Sequence, residues 1–262
     1  MTLAIAPDPI APLLQTVSAS RLNTFHTCRL QFYFRYVAKL PKKKSGALHV
    51  GSTVHHVLKL WNLARWRQKV LPEGALRSEF DLFWKADQNG KIQWEASEED
   101  QSKATAWSLL ETYFKQSPIP PNEAAEAVEV SVEANLGTTR LIGIIDLVRV
   151  GGHIVEFKTT AQTPNPERAE HLHELQCSCY SVLYRETTSK RETGIELHHL
   201  VKLKTPKLVV TALPPMDQRR ETRLHKQVDS YLAGVDRQDW IPSPNAMTCV
   251  CCEFFRQCRA WS

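Results

Sequence analysis

One stretch of the chain, residues 139–158, limits the folds that this sequence can adopt. Asp146 lies inside a run of apolar and β-branched residues over 140–150, which predicts a strand buried on both faces. Gly151-Gly152 predicts a tight turn, and residues 153–158 predict a returning strand. Burying an ionised carboxylate in such a strand costs several kcal/mol unless a cation or hydrogen bonds compensate it. A compensating polar site is therefore expected within the sheet.

Two further charged residues lie on the returning strand. Glu156 and Lys158 are two residues apart, so both side chains point to the same face. With Asp146 they suggest a divalent-metal site, in which carboxylates hold a hard cation and the lysine positions the attacking water. A salt bridge between Asp146 and Lys158 is the equally weighted alternative. Shared ligation predicts a three-residue loop, 150–152, or a bulged connection, with a glycine at positive φ. The three-residue register sets Asp146 across from Glu156 at roughly 5 Å between Cβ atoms.

The order of predicted elements indicates an α/β fold with a mixed sheet flanked by helices. Helical patterns precede residue 121, three consecutive strands follow, and a helix over 168–185 leads to two more strands and a last helix. This order favours a meander followed by a crossover. Residues 1–17 are expected to form a flexible arm. A single domain over 18–262 is expected to contain a helical insertion at about 65–121.

Three further side chains are candidates for the same site. His55 lies near the start of a predicted helix and could supply a nitrogen ligand, although an isolated helical histidine is usually packed or solvated. Gln176 and Tyr180 lie one turn apart on the predicted helix after the Glu-x-Lys strand. They could hydrogen-bond a substrate phosphate or base, or form an ordinary helix edge.

The cysteines predict a second, separate metal site. The chain has 7 cysteines, of which four are crowded near its end, at Cys249, Cys251, Cys252 and Cys258. The spacing Cys-x2-Cys-x5-Cys leaves Cys251 as a spare and requires a fourth ligand. Cys28 is the best candidate, because Cys177 and Cys179 lie in the predicted Gln–Tyr helix. Four thiolates bind zinc or an iron–sulfur cluster, and the spacing by itself slightly favours zinc. Either metal would join the N-terminal helix to a tail over 240–262.

Composition excludes few classes of protein. A hydrophobic fraction of 42% and a charged fraction of 23% exclude a mostly disordered chain. The net charge of +5 permits nucleic-acid binding without requiring it. No window approaches the ~20 apolar residues of a membrane span, and the N-terminus lacks the basic region of a signal peptide. We therefore expect a cytoplasmic protein with no membrane partner.

Taken together and in this order, the motifs resemble the PD-(D/E)XK nuclease superfamily. The similarity is to its RecB-type branch with an iron–sulfur cluster, which includes the AddB nuclease domain and the CRISPR-associated adaptation nucleases. The motifs that carry the resemblance are Ser18-Ala-Ser-Arg-Leu22, Cys28-Arg-Leu-Gln-Phe-Tyr33, Gly51-Ser-Thr-Val-His55, Gly143-Ile-Ile-Asp146, Glu156-Phe-Lys-Thr159, Gln176-Cys-Ser-Cys-Tyr180 and the closing Cys249, Cys252 and Cys258.

The resemblance implies a restriction-endonuclease-like core and a Mg²⁺- or Mn²⁺-dependent nuclease. The implied metal ligands are His55, Asp146, Glu156 and the Phe157 carbonyl. Lys158 would orient the attacking water, and Gln176 and Tyr180 would guide the strand. Instead of zinc, a [4Fe–4S] cluster is implied on Cys28, Cys249, Cys252 and Cys258.

The implied activity is hydrolysis of DNA that is single-stranded or has free ends, in repair, recombination or adaptation. Because the sequence has no G-x-x-x-x-G-K-[ST] motif, any helicase partner would be a separate chain. The alternative is a non-catalytic DNA-binding or assembly subunit with the same fold. The complete set of His55, Asp146, Glu156 and Lys158 argues against it.

Overall fold

The computed structural model describes residues 8–42, 44–88, 92, 94 and 97–261. The helices are α1 (Ala11–Gln15), α2 (Ala19–Thr27), α3 (Arg29–Phe32) with a π-helical turn (Tyr33–Val37), α4 (Gly46–Trp66), α5 (Glu73–Gln88), α6 (Glu98–Gln116), α7 (Pro166–Thr188), α8 (Gln218–Asp236), α9 (Ala246–Cys249) and α10 (Phe255–Arg259). The strands are β1 (Thr16–Val17), β2 (Ala125–Leu136), β3 (Thr139–Arg149), β4 (His153–Thr160), β5 (Gly194–Val201) and β6 (Lys207–Leu213). Among the described residues, no helix is both long and apolar enough to cross a membrane.

The six strands form one mixed sheet, as predicted. Strands β2, β3 and β4 pair antiparallel in sequence order, which is the expected meander. Helix α7 then crosses over to β5, which runs parallel to β4, and β6 pairs antiparallel with β5. A long crossover is the connection that a parallel pair requires. The mixed α/β fold with flanking helices is confirmed and is consistent with a restriction-endonuclease-like core.

Strand β3 has a gap along one of its edges. Strand β2 pairs with it from Thr139 to Arg149 and occupies the other edge throughout. The second edge is shared by β1, which pairs with residues 140–141, and by β4, which pairs with residues 147–149. Within the described part of the chain, residues 142–146 therefore have no strand on this side. Asp146 lies at the end of this gap.

The two faces of the sheet carry separate hydrophobic cores. Helices α1, α2, α7 and α8 cover one face, where Phe25, Phe32 and Tyr231 pack edge to face with ring centroids 5.2–5.5 Å apart. Helices α4, α5 and α6 cover the other face, where Phe80 and Trp84 are fully buried. The aromatic residues of the predicted helical insertion thus have a structural role. The described residues of α5 and α6 all lie outside the groove described below.

The expected flexible arm over residues 1–17 is wrong for its second half. Residues 11–17 form α1 and β1, and Leu13 and Val17 are buried. The reason is that the prolines begin a helix rather than a loop: Pro12 lies in the first turn of α1, where its missing N–H is not needed. The Tyr231 hydroxyl also donates a hydrogen bond to the Leu13 carbonyl at 3.0 Å. Residues 1–7 lie outside the described residues.

The predicted first helix is interrupted at Cys28. The backbone of Cys28 is extended, with φ −161° and ψ 114°, so α2 ends there and α3 begins. Its thiol lies among the C-terminal cysteines, as described below.

Candidate active site

The β3–β4 hairpin has the predicted three-residue loop. Its paired residues are Arg149 with His153, Val148 with Ile154 and Leu147 with Val155. Gly151 and Gly152 both have positive φ, at 82° and 75°, where a side chain would strain the backbone. Continued by one residue, this register sets Asp146 opposite Glu156. The predicted loop and its glycine conformation are confirmed.

Asp146 is buried and has two hydrogen-bonding neighbours. Its Oδ2 atom accepts a hydrogen bond from the Phe157 backbone N–H at 3.0 Å and lies 3.5 Å from His55 Nδ1. The alternative prediction, a direct salt bridge between Asp146 and Lys158, is wrong, because the Lys158 ammonium pairs with Glu156 instead. The Phe157 side chain packs among Tyr113 and His198, and its carbonyl stays a predicted ligand.

Helix α4 carries His55 to the sheet. Ser45 caps the helix, because its hydroxyl accepts a hydrogen bond from the Leu48 N–H at 3.2 Å. A Cβ atom at Gly51 would lie 3.2 Å from Thr159 Oγ1, which is unusually tight. Glycine at this position therefore lets α4 approach β4 closely. His55 follows one turn later and faces Asp146.

Glu129 is a site residue that the sequence reasoning missed. Strand β2 pairs Val128 with Leu147 and Val130 with Ile145, so Glu129 lies directly across from Asp146. Its φ is +49°, a left-handed conformation that is rare for a non-glycine residue in a strand. In the sequence, Glu129 alternates with valines and is indistinguishable from the solvent face of a half-buried strand. Only the fold brings it to Asp146.

Both strands change the face that they bury at this pair. Val130 and Ile145 pack in the core beside α7, whereas Val128 and Leu147 pack in the core beside α4. The left-handed backbone of Glu129 accounts for the change in β2. As a result the Glu129–Asp146 pair lies between the two cores.

His55, Glu129 and Asp146 form a group with metal-binding geometry. One ligand atom from each residue lies within 4.8 Å of the others. The set combines an imidazole nitrogen with carboxylate oxygens, which suits Mg²⁺ or Mn²⁺. The predicted ligand Glu156 is not part of this group, although its buried Oε2 has no hydrogen-bond partner among the described residues. The chemistry of the three grouped donors fits a divalent metal.

Glu156 also anchors a chain of hydrogen bonds through its other oxygen. Glu156 Oε1 accepts from Lys158 Nζ at 2.6 Å and from Gln176 Nε2 at 2.7 Å. Gln176 Oε1 accepts from the same Lys158 Nζ at 2.6 Å, and Gln176 Nε2 donates to the Tyr180 hydroxyl at 2.8 Å. The predicted Gln–Tyr face of α7 therefore meets the Glu-x-Lys strand. In this structure Gln176 contacts Glu156 and Lys158 directly.

The two buried carboxyl groups have pKa values shifted in opposite directions. Burial and the nearby Asp146 raise the pKa of Glu156 to about 7, against the opposing effect of Lys158. Burial also acts to raise the pKa of Asp146, but the hydrogen bond and charge of His55 and the Phe157 amide outweigh it and lower that pKa. Two interacting carboxyl groups in one site commonly separate in this way. Such perturbed groups are concentrated at functional sites.

These residues lie along an open groove of about 1180 Å³. The groove extends from the Glu129–Asp146 pair to the start of α2 and is bounded by the gap in β3 and one face of α7. His173 lies on that face, and burial with the nearby Lys158 and His199 lowers its pKa to about 4. Its imidazole is therefore neutral near pH 7. Other residues that line the groove include Ser131, Glu133, Ile142, Ile144 and Leu172.

Four cysteines meet at a separate site near the chain ends. Cys28, Cys249, Cys252 and Cys258 line one cavity beside Leu30, Phe34 and Phe254. Backbone N–H groups of Ser243 and Asn245 donate to the Cys28 and Cys249 sulfurs, at 3.5 and 3.3 Å. Cys251 is exposed, and Cys177 and Cys179 are buried within α7. The set that the sequence reasoning selected is the set that converges.

Comparison with known proteins identifies the family. The sequence profile of the PD-(D/E)XK nuclease superfamily matches residues 16–259. The chain belongs to this nuclease superfamily. No curated protein sequence matches this nuclease significantly.

One solved structure supports the fold of this nuclease. The crystal structure of a candidate exonuclease from Eubacterium rectale is similar with a TM-score of 0.65 and 14% identity, over 100% of this chain and 96% of that chain. An alkaline exonuclease from Laribacter hongkongensis matches more weakly, with a TM-score of 0.33 and 10% identity over 75% of this chain and 89% of that chain. At these identities the likeness concerns the fold. Superfamily membership also implies a divalent metal, which agrees with the donor set around Asp146.

Proposed function

We propose that this nuclease is a metal-dependent deoxyribonuclease that cleaves single-stranded DNA or DNA with free ends. The observation that carries the proposal is the meeting of His55, Glu129 and Asp146 in an open groove that Lys158 also lines. Lys158 lies beside them, held by Glu156.

The proposed metal ligands are His55, Asp146, Glu156 and the Phe157 carbonyl, with Glu129 as an additional oxygen donor. A divalent ion bound there lowers the pKa of its water and neutralises charge on the phosphate. An imidazole ligand favours Mn²⁺ relative to an all-oxygen site. Because His55 also contacts Asp146, its ring is held facing the carboxylates before any ion binds.

Lys158 is the proposed catalytic residue for charge stabilisation. Its ammonium donates hydrogen bonds to Glu156 and Gln176, so two acceptors hold it in place at the groove. A preorganised cation at the position where phosphate charge develops stabilises the transition state more than a mobile one. Gln176 and Tyr180 support this lysine and also border the groove, where they would guide the strand.

The test is cleavage of end-labelled single-stranded DNA with Mn²⁺ or EDTA. Lys158→Ala is expected to lose about a hundredfold or more of the activity, with unchanged circular dichroism. Lys204→Ala is the matched control, because this lysine is exposed and lies outside the groove. Full Mn²⁺-dependent cleavage by Lys158→Ala would show that the assigned chemistry is wrong. Labelling the 5′ or the 3′ end also reports the direction of digestion.

A [4Fe–4S] cluster on Cys28, Cys249, Cys252 and Cys258 is the second part of the proposal. The four cysteines line one cavity, and four thiolates can hold either zinc or an iron–sulfur cluster. The resemblance to the cluster-containing branch favours the cluster. The cluster would be structural, since these cysteines lie outside the groove.

Anaerobic purification distinguishes the two metals. The cluster predicts brown protein with about four iron atoms and matching sulfide per chain, whereas zinc gives a colourless protein. Cys258→Ser is expected to lose the iron, and the exposed Cys251→Ser is the matched control that retains it. Stoichiometric zinc without iron would exclude the cluster.

Loss of this site is expected to loosen the tail over 240–262 rather than detach it. Arg29 pairs with Asp239 and Arg35 pairs with Glu253, so ion pairs also join the N-terminal helices to the end of the chain. Limited proteolysis of Cys258→Ser would test this expectation.

We also propose that the protein belongs to the RecB-type branch and acts in DNA repair, recombination or adaptation. The contact of Gln176 with both Glu156 and Lys158 supports the branch, since it gives the Gln-x3-Tyr motif a role at the site. The proposed partners are a helicase or other repair or adaptation proteins. Co-purification with DNA-processing proteins would test the partnership.

A further inference from the structure

Two exposed aliphatic side chains border the groove and have no role in the chemistry proposed above. Ile144 is 51% exposed and Leu172 is 73% exposed. Both line the groove with the metal-site residues, Ile144 from β3 and Leu172 from α7. Single exposed apolar side chains are common on protein surfaces, but these two line the same groove as the site, where apolar groups can pack against a bound ligand.

Their positions along the elements relate them to the reacting centre. Ile144 precedes Asp146 by two residues, which is about 7 Å along a strand. Leu172 precedes Gln176 by four residues, so it lies one helical turn, about 6 Å, along the same face of α7. Each distance is comparable to one nucleotide step along an extended strand. The two side chains therefore lie where the nucleotides next to the scissile phosphate would pass.

The charges of the groove argue against a duplex. Among the described lining residues, Lys158 is the one lysine or arginine, and Glu156 already pairs with it. Glu129, Glu133 and Asp146 contribute negative charge instead. Binding to duplex DNA relies on several lysine and arginine contacts to phosphates. A groove with this charge pattern is better suited to the bases of one strand.

The gap in β3 offers hydrogen bonds to unpaired bases. Residues 142–146 have no strand on the side facing β4, within the described part of the chain. Their backbone N–H and C=O groups are obligatory hydrogen-bonding groups. Base edges are free to meet such groups only when they are not paired with a second strand. Apolar contacts to base faces add affinity that tolerates any sequence.

We propose that Ile144 and Leu172 contact the bases that flank the scissile phosphate and so select unpaired DNA. The inference rests on the proposed nuclease function and assigns its specificity to these two side chains. Ile144 would contact the base on the β3 side of the cleavage site, and Leu172 the base on the α7 side. Because both side chains are already exposed, removing them leaves the cores intact.

The test compares Ile144→Ser, Leu172→Ser and the double variant with Leu82→Ser. Leu82 is 63% exposed on α5 and lies outside the groove, so it is the matched control. The substrates are a single-stranded oligonucleotide, the same strand with abasic sites flanking the cleaved bond, and a blunt duplex. Each groove variant is expected to lower kcat/KM on the intact single strand by roughly five- to tenfold. It should leave the abasic strand unaffected.

Three results would overturn the inference: no change in the groove variants, an equal loss on all three substrates, or the same loss in Leu82→Ser. Binding of the same oligonucleotides with Ca²⁺ in place of Mn²⁺ separates this failure from failure of the proposed function. If the wild type cleaves none of the substrates but the groove variants bind single strands more weakly than it does, only the nuclease chemistry is refuted. If all three groove variants cleave normally and keep the preference of the wild type for the single strand over the duplex, only the base contacts are refuted.

Discussion

Replacing Glu129 by glycine should raise stability and lower metal affinity at once. Glu129 has φ +49° in the middle of β2. A side chain in this left-handed conformation costs about 1–2 kcal/mol, and glycine relieves that cost. Glycine also makes the unfolded chain more flexible, which costs about 0.4–1 kcal/mol. The net gain in the free energy of unfolding should be about 1 kcal/mol for the metal-free protein.

Glu129→Gln separates the backbone effect from the charge effect. Burial and the neighbouring Asp146 raise the pKa of Glu129, so its ionised form costs stability at neutral pH. Glutamine removes this charge but keeps the strained backbone. Glycine should therefore be the more stable of the two variants, by roughly 0.5–1 kcal/mol, or about 1–4 °C in Tm. Both variants lose the carboxylate that lies within 4.8 Å of its partners in the His55–Asp146 group.

The assay is thermal unfolding of wild type and both variants, with EDTA and with a Mn²⁺ series. Mn²⁺ should raise the Tm of the wild type, because an ion that binds only the folded state stabilises it. The rise should be much smaller in both variants. A glycine variant that unfolds below the glutamine variant would refute the backbone argument. An undiminished Mn²⁺ effect in both would refute the ligand role of Glu129.

Two predictions concern the scaffold. Gly234→Ala adds a good helix former to α8, but its Cβ would lie 2.5 Å from Phe25 Cζ inside the aromatic cluster. We expect the free energy of unfolding, measured by chemical denaturation, to fall by about 1–2 kcal/mol. A stabilised variant would contradict the packing argument. Glu192→Gln should cost about 3 kcal/mol, because the buried carboxylate accepts two hydrogen bonds from Arg185. Burial acts to raise the pKa of Glu192, but these hydrogen bonds outweigh it and lower that pKa. The stabilisation is therefore present above pH ~4.3 and lost as pH falls further. Acid titration of stability should be flatter in the glutamine variant, and an unchanged profile would contradict the assignment.

The regular elements could be predicted because hydrophobic periodicity is local. The apolar run around Asp146 and the Gly151-Gly152 pair predict the β3–β4 hairpin, and shared ligation by Asp146 and Glu156 predicts its three-residue loop; the structure has both. The prediction of a loose arm before residue 18 is wrong for residues 11–17, because proline also begins helices, as Pro12 does here. Burial of Leu13 and Val17 depends on α8 and β3, which are distant in the sequence.

The candidate site shows the same division. Asp146, Glu156 and Lys158 stood out because charged residues in apolar strands are costly, and Gln176 and Tyr180 because of their helical spacing. Glu129 did not stand out, since a glutamate alternating with valines is ordinary on a solvated strand face. Its role depends on the left-handed kink and on the register with β3. Neither is encoded by a recognisable local pattern.

The sequence by itself determined the order of helices and strands, the loop between β3 and β4, and the choice of charged and cysteine side chains. These follow from periodicity, turn chemistry and the cost of burying charge, all of which act over short stretches. Tertiary structure alone decided that Glu129 faces Asp146 and that Lys158 pairs with Glu156. It also decided that the gap along β3 lies beside them, with Ile144 and Leu172 exposed in the same groove. Pairing between distant strands brings these groups together, because it fixes which faces meet and which edge of β3 stays uncovered.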